Sequence, residues 1–280
     1  MSQISRSRAA FAPVCVLLCA LALSACAGDK KKKEELQYQE RPVEILYDQA
    51  ADNLDRRYWS QAATGFDEVE RQHPYTEWAR RAILMGAYAD YQANKYDDAV
   101  EAARRFISLH PGNRSAPYAY YLIGVCYFEQ ILDVGRDQSV TTSALQALNE
   151  VVQRYPDSVY ARDARIKIDM TNDQLAGKEM AVGRFYLNRT EHLAAINRFR
   201  NVVENYQTTS HTAEALYRLT EAYLSIGVDD QAQVTTAVLG YNFPGSKWYQ
   251  DAYKLLNNKG LAPASKETVK KSWLGKLNPF

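Results

Sequence analysis

One unbroken apolar run, Ala9 to Leu23, opens the chain; beyond it hydrophobic positions recur with helical spacing in stretches that each halt at a proline. Pro74, Pro111, Pro156 and Pro244 are each preceded, twelve positions earlier, by alanine: Ala62, Ala99, Ala144 and Ala232. A fifth unit keeps Ala195 but has Gln207 where proline would stand. Successive alanines lie 37, 45, 51 and 37 residues apart, a 37-residue period with insertions of 8 and 14. Proline ends each stretch because it lacks an amide proton and disfavours helix in the residue before it.

The period predicts an all-α chain of five helix pairs. First helices lie near 43–57, 78–93, 116–131, 159–187 and 213–226, and second helices near 60–72, 97–109, 141–154, 191–205 and 230–240. A closing helix runs from about Ser246 to Asn257. Each first helix carries a small residue at its eighth position: Ala50, Ala87, Gly124, Gly183 and Thr220. Aromatic residues follow three or four positions later in the last three units, at Tyr127 and Phe128, Tyr186, and Tyr223. Antiparallel helices approach closely only where side chains are small, and large rings fill the groove alongside. The pattern resembles tetratricopeptide repeats stacked as a superhelical solenoid. The 14-residue insertion is continuous amphipathic sequence and lengthens the fourth first helix. The 8-residue insertion, with Asp133, Gly135, Arg136, Asp137 and Gln138, reads as a loop.

The apolar run is too short, and too abruptly followed by charge, for a membrane span; with Arg6 and Arg8 before it, it reads as a secretion signal of residues 1–25. It ends in Leu23-Ser24-Ala25-Cys26, which resembles the bacterial lipobox. Cys26 is therefore expected to carry the lipid, with acyl chains anchoring the mature chain to a bilayer through a charged tether, residues 26–40. Ala27 after the cysteine favours the outer membrane by resemblance to the enteric sorting rule. Cys15 and Cys19 leave with the signal, so Cys126 is the one thiol left, and its apolar neighbours mark it as a buried small residue.

At 280 residues, 46% hydrophobic and 24% charged, the chain is ordinary globular material. Its net charge of +1 is unevenly spread. The flanks hold 11 of the 34 basic and 2 of the 33 acidic residues, which leaves residues 34–258 with 23 basic and 31 acidic groups, a balance of −8. A mildly acidic core between basic ends argues against a nucleic-acid partner. Residues 259–280, a basic tail with Pro263 and Pro279, are expected to be largely disordered.

No catalytic constellation emerges. His73 and His110 both precede second-helix prolines, a structural turn position, and His192 and His211 have no Cys or carboxylate at metal-ligand spacing. Neither a phosphate loop nor G-x-S-x-G nor H-E-x-x-H is present. The pairs Asp97-Asp98 and Asp229-Asp230 fall at second-helix starts, where acids cap free amides and suit the helix dipole. No metal and no cofactor is expected. What remains is surface: among 20 tyrosines, Tyr47, Tyr88, Tyr91, Tyr118 and Tyr121 fall on first-helix positions that face the inner side of such solenoids. A broad apolar ring with a polar tip suits extended polypeptide of varied sequence, so these five are the candidate client-binding groove.

Several stretches together are more specific than the repeat: Arg71-Gln72-His73-Pro74, Asp133-Val134-Gly135-Arg136-Asp137-Gln138, Arg154-Tyr155-Pro156-Asp157-Ser158 with Tyr160-Ala161, Ala194-Ala195-Ile196-Asn197-Arg198-Phe199, and Tyr241-Asn242-Phe243-Pro244 with Trp248-Tyr249. From about Glu40 to Gly260 the chain resembles the BamD family of outer-membrane lipoproteins of the β-barrel assembly machine. The resemblance implies that the amino-terminal repeats, residues 41–158, receive the targeting segment of unfolded outer-membrane proteins. It implies that residues 159–258 dock on a periplasmic POTRA domain of the BamA-like barrel insertase, alongside other assembly-machine lipoproteins. Arg198, with Asn197, is the implied insertase-docking position, and Asp133, Arg136 and Asp137 form the family's loop. His73 and Lys178 stand where relatives have tyrosine, which leaves contacts there open. Two alternatives stand beside this reading: a repeat lipoprotein coordinating envelope or division complexes of the Tol-Pal type, which usually carries a coiled coil, and a periplasmic cell-wall enzyme, for which no paired acid or nucleophile is found.

Overall fold

The computed structural model describes residues 41–277, with side chains to Gly275. The signal peptide, Cys26 and the tether lie outside the described residues. Residues from Pro42 onward form one compact unit, and among the described residues every regular element is helical. The helices are α1 (Val43–Asp55), α2 (Trp59–Gln72), α3 (Glu77–Gln92), α4 (Tyr96–Leu109), α5 (Ala116–Glu129), α6 (Ser139–Arg154), α7 (Val159–Asn188), α8 (His192–Asn205), α9 (Thr212–Ser225), α10 (Asp229–Asn242), α11 (Lys247–Asn257) and α12 (Lys266–Lys271). A 3-10 turn, Leu274–Leu277, follows. Each helix from α1 to α10 packs on its neighbours in sequence, and first helices also touch across repeats, α1 on α3, α3 on α5 and α5 on α7. That order is a tetratricopeptide-like solenoid of five helix pairs, and α11 closes the fifth pair.

The turns repeat as closely as the helices. Leaving each first helix except α5, the chain passes through one left-handed residue: Arg57 (φ 62°), Asn94 (φ 59°), Thr190 (φ 61°) and Gly227 (φ 76°). Leaving a second helix, the residue before each proline takes one conformation, φ near −133° and ψ near 55°, at His73, His110, Tyr155 and Phe243. Tyr206 adopts φ −131°, ψ 41° before Gln207, so the turn survives without its proline. Two residues past Pro74, Pro156 and Pro244 a hydroxyl caps the next helix: Thr76, Ser158 and Ser246 each accept from the amide three residues on, at 3.1 Å. This Pro-x-Ser/Thr turn ends one helix and starts the next in three residues.

The small positions act as close-approach points. A Cβ on Gly183 would stand 2.5 Å from Phe199 Cε1, and one on Gly124 2.8 Å from Leu148 Cδ2. Phe199 and Leu148 are fully buried, so α7 and α5 owe their closeness to α8 and α6 to these glycines. At the fifth unit Thr220 is tolerated because its hydroxyl bonds the Leu216 carbonyl and lies 2.8 and 3.1 Å from those of Thr235 and Thr236.

Two expectations are corrected. The tail is ordered through its described part: α12 and the final turn pack on α10, with Val269 and Leu274 buried. Trp273 lies under the Arg200 guanidinium, 4.3 Å from the ring centroid, and its indole N–H donates to Gln231 Oε1 at 3.1 Å. Three apolar anchors on a short segment outweigh its lysines, of which Lys270 and Lys271 are exposed. Nor do the paired aspartates cap their helices. Lys95 and Val228 occupy the N-cap positions without a side-chain cap, while Asp97, Asp98, Asp229 and Asp230 lie in the first turn, where they still favour the helix dipole.

Candidate functional site

Helical spacing brings four of the five nominated tyrosines together. Tyr88 and Tyr91 are one turn apart on α3, their centroids 6.5 Å apart, and Tyr118 and Tyr121 are one turn apart on α5. Tyr160, from the first turn of α7, completes the set at 5.5 Å from Tyr118 and 5.4 Å from Tyr121. Tyr96 extends it on the other side, 6.0 Å from Tyr91. Three successive first helices thus present one half-buried aromatic face. Burial, with Tyr88 and Tyr160 close by, pushes the Tyr118 hydroxyl well above the usual phenol range. Tyr121 is raised too, by burial and by donating to Asp163 Oδ2 at 2.5 Å. Both hydroxyls stay protonated, and that of Tyr121 acts as a donor. Tyr47 sits apart from the face, its ring 5.3 Å from Phe66 and 4.9 Å from Trp78. Tyr160 was legible within the quoted Tyr160-Ala161 stretch, but only packing places it on this face.

The 132–138 loop is keyed into α7. Gln174 Nε2 donates to the Leu132 carbonyl at 2.6 Å, and Lys178 Nζ to those of Arg136 and Gly135 at 3.2 and 3.4 Å. Val134 Cγ1 and His211 Nε2 each lie 3.2 Å from where a Cβ on Gly177 would be, so a side chain there would push the loop and the residue before α9 back by a few tenths of an ångström. Inside the loop Asp133 accepts from the Gly135 amide at 2.8 Å. Asp137 accepts from the hydroxyl and amide of Ser139, and these bonds hold its carboxyl below the ordinary range. The Arg136 side chain is exposed.

Arg198 and Asn197 lie exposed on α8. Arg198 pairs with Glu179 of α7 at 3.3 Å, the glutamate side chain only 18% exposed. They edge an open hollow of about 460 Å³ with Tyr186, Ala194, Asn201 and Glu204. The loop positions and this hollow are separate features, joined through α7. Among the described residues no group of three or more His, Cys, Asp or Glu is placed to hold a metal ion. Cys126 is buried beneath the tyrosines and its thiol is pushed up to about 12, chiefly by burial.

The family YfiO, described as an outer membrane lipoprotein, matches residues 39–239. The outer membrane protein assembly factor BamD of Caulobacter vibrioides is 60% identical over 94% of this chain and 86% of its own length. The protein of that name from Rickettsia prowazekii is 44% identical over 87% of this chain and 95% of its own, and that of Neisseria meningitidis serogroup A 35% identical over 84% and 92%. Identity of that order over most of the chain supports the assembly-factor reading over the envelope-coordinator and cell-wall-enzyme readings. The chain belongs to the BamD (YfiO) family of outer membrane protein assembly factors.

Proposed function

We propose that the chain is a lipid-anchored scaffold of the β-barrel assembly machinery. Its amino-terminal repeats hold unfolded outer-membrane proteins and its carboxy-terminal repeats dock on the barrel insertase, so that clients are folded and inserted into the outer membrane. The lipid on Cys26 sets its place at the periplasmic face, and no helix among the described residues is long and apolar enough to cross a membrane. The single observation carrying the client half is the half-buried face of Tyr88, Tyr91, Tyr118, Tyr121 and Tyr160, shared by three consecutive repeats. Docking is assigned to the hollow beside Arg198 and Asn197, where a guanidinium already held by Glu179 is presented at a fixed position. A partner carboxylate there gains a preoriented donor. The 132–138 loop, from the amino-terminal half, is tied to α7, the first helix of the carboxy-terminal half.

The test uses two variants. Tyr88→Ala with Tyr91→Ala is expected to weaken binding of unfolded barrel proteins about tenfold or more while the insertase still co-purifies. Arg198→Ala is expected to do the reverse. If both variants lose the same partner, or neither loses any, the division of labour is wrong.

A further inference from the structure

Lysine is concentrated at the two ends of this chain. Of its 14 lysines, four are Lys30 to Lys33, just after Cys26, seven lie from Lys247 to Lys276, and Lys95, Lys167 and Lys178 alone stand between. The repeat array, residues 41–242, carries 21 basic groups, 18 of them arginine, against 27 acidic ones, a balance of −6. The closing cap that follows, residues 243–277 with α11, α12 and the final turn, carries seven lysines, no arginine and two acids, Asp251 and Glu267, a balance of +5. Sign and chemistry change at the same point in the chain.

The cap is docked by its apolar side. Both α11 and α12 pack on α10, and Ala252, Leu256, Val269 and Leu274 are buried. Lys247, Lys270 and Lys271 are exposed and have no partner among the described residues. Lys254 pairs with Asp251 yet stays 71% exposed. Lys266 Nζ lies 5.0 Å from the ring centroid of Tyr241, which, like Tyr253, is about half exposed. In the array, by contrast, Arg105, Arg184 and Arg198 each bridge to a glutamate of another helix. A guanidinium matches a carboxylate held in fixed geometry, whereas an ammonium is a hydrated point charge on a flexible stem and needs no fixed partner.

We propose that the closing cap is a second membrane contact, which rests on an anionic phospholipid surface through Lys247, Lys270 and Lys271. Headgroups in a fluid bilayer shift position, so they suit mobile ammonium groups, and tyrosine rings suit the depth of the headgroups. An acidic protein partner would offer fixed carboxylates, for which this chain uses arginine elsewhere. The proposal rests on the lipid anchor at Cys26. With lysines beside the lipid at one end and on the cap at the other, the solenoid is attached at both ends and turns less freely about its tether. Each lysine near such a surface favours contact by about fivefold, and salt screens the effect.

The test reconstitutes the mature lipidated chain into vesicles of phosphatidylcholine, or of phosphatidylcholine and phosphatidylglycerol in equal parts, each with a trace of headgroup-quencher lipid. A thiol fluorophore is placed at the exposed Ala262→Cys, since Cys126 is buried. Quenching is expected to be about threefold or more stronger in the anionic vesicles at low salt, and to fall to the phosphatidylcholine level at high salt. Lys247→Gln with Lys270→Gln and Lys271→Gln should abolish the difference with the melting temperature unchanged, because none of the three has a partner to lose. Equal quenching in the two vesicles, or a difference that survives the lysine variant, overturns the proposal while leaving the anchor in place. A chain that floats with neither vesicle overturns both. A second measurement follows acetylation of Lys270 and Lys271 in native outer membranes and after extraction of the intact complex into mild detergent. Protection that is lost on extraction supports the lipid contact; protection that persists assigns the cap to a protein partner and overturns it.

Discussion

Two glycines in equivalent helices should respond in opposite directions to the same added methyl group. At Gly86, in the middle of α3, a Cβ meets Phe66 Cβ at 3.5 Å and Asp67 Oδ1 at 3.9 Å, ordinary contact distances. Alanine there gains helix propensity of about 1 kcal/mol over glycine with nothing to displace. Gly86→Ala is thus expected to stabilise the protein by about 0.5–1 kcal/mol. At Gly183 the Cβ would lie 2.5, 2.8 and 2.9 Å from three Phe199 ring atoms. Carbon atoms pack at about 3.5–4.0 Å, so the ring must retreat by about 1 Å. Phe199 is 0% exposed and has nowhere to go. Overpacking costs about 1–3 kcal/mol, and less the propensity gain Gly183→Ala is expected to lose about 1 kcal/mol. Urea titration followed by far-ultraviolet circular dichroism measures both, with the slope compared to exclude a change in the unfolded state. Loss of stability in Gly86→Ala, or none in Gly183→Ala, would refute the claim that first helices meet second helices at defined small positions.

Asp90 supplies a pH signature: burial, with Asp67 and Asp98 nearby, raises its carboxyl to about 6 despite Lys95. A folded-state pKa above the unfolded value of about 3.9 means that the fold prefers the protonated form, so stability falls as pH rises from about 4 to 6. Asp90→Asn should therefore melt higher than wild type at pH 7.5 and equal to it at pH 3.5; a constant difference across that range would exclude the titration. Thr190, a β-branched residue held at φ 61°, should be improved by glycine by about 0.5–1 kcal/mol, and a lower melting point in Thr190→Gly would contradict strain there. For the tail, Trp273→Ala removes a cation–π contact of about 0.5–1 kcal/mol and a hydrogen bond of about 1 kcal/mol. Hydrogen exchange of residues 266–271 should rise at least tenfold, and unchanged protection would show that Trp273 does not hold α12 down.

The repeat was legible because its determinants are local. Proline ends a helix and a small residue admits its neighbour through rules that act within one unit, so Ala62, Ala99, Gly124 and Pro156 placed the helices to within a few residues. Tyr88, Tyr91, Tyr118 and Tyr121 lie together for the same reason, being one turn apart on successive first helices. Tyr47 had the same spacing but falls beneath Trp78, a partner from the next repeat. The tail misled because lysines and prolines dominate its composition, while its order depends on Arg200 and Gln231 of distant helices.

The central claim is that one chain holds two kinds of protein at two places. Photo-crosslinking in living cells addresses it directly, with a photoreactive residue at Tyr91 or at Asn197 of the full-length chain. The expected result is that the Tyr91 probe captures many outer-membrane β-barrel proteins in unfolded form, while the Asn197 probe captures a single partner, the insertase. Capture of the same set of proteins at both positions would contradict the account.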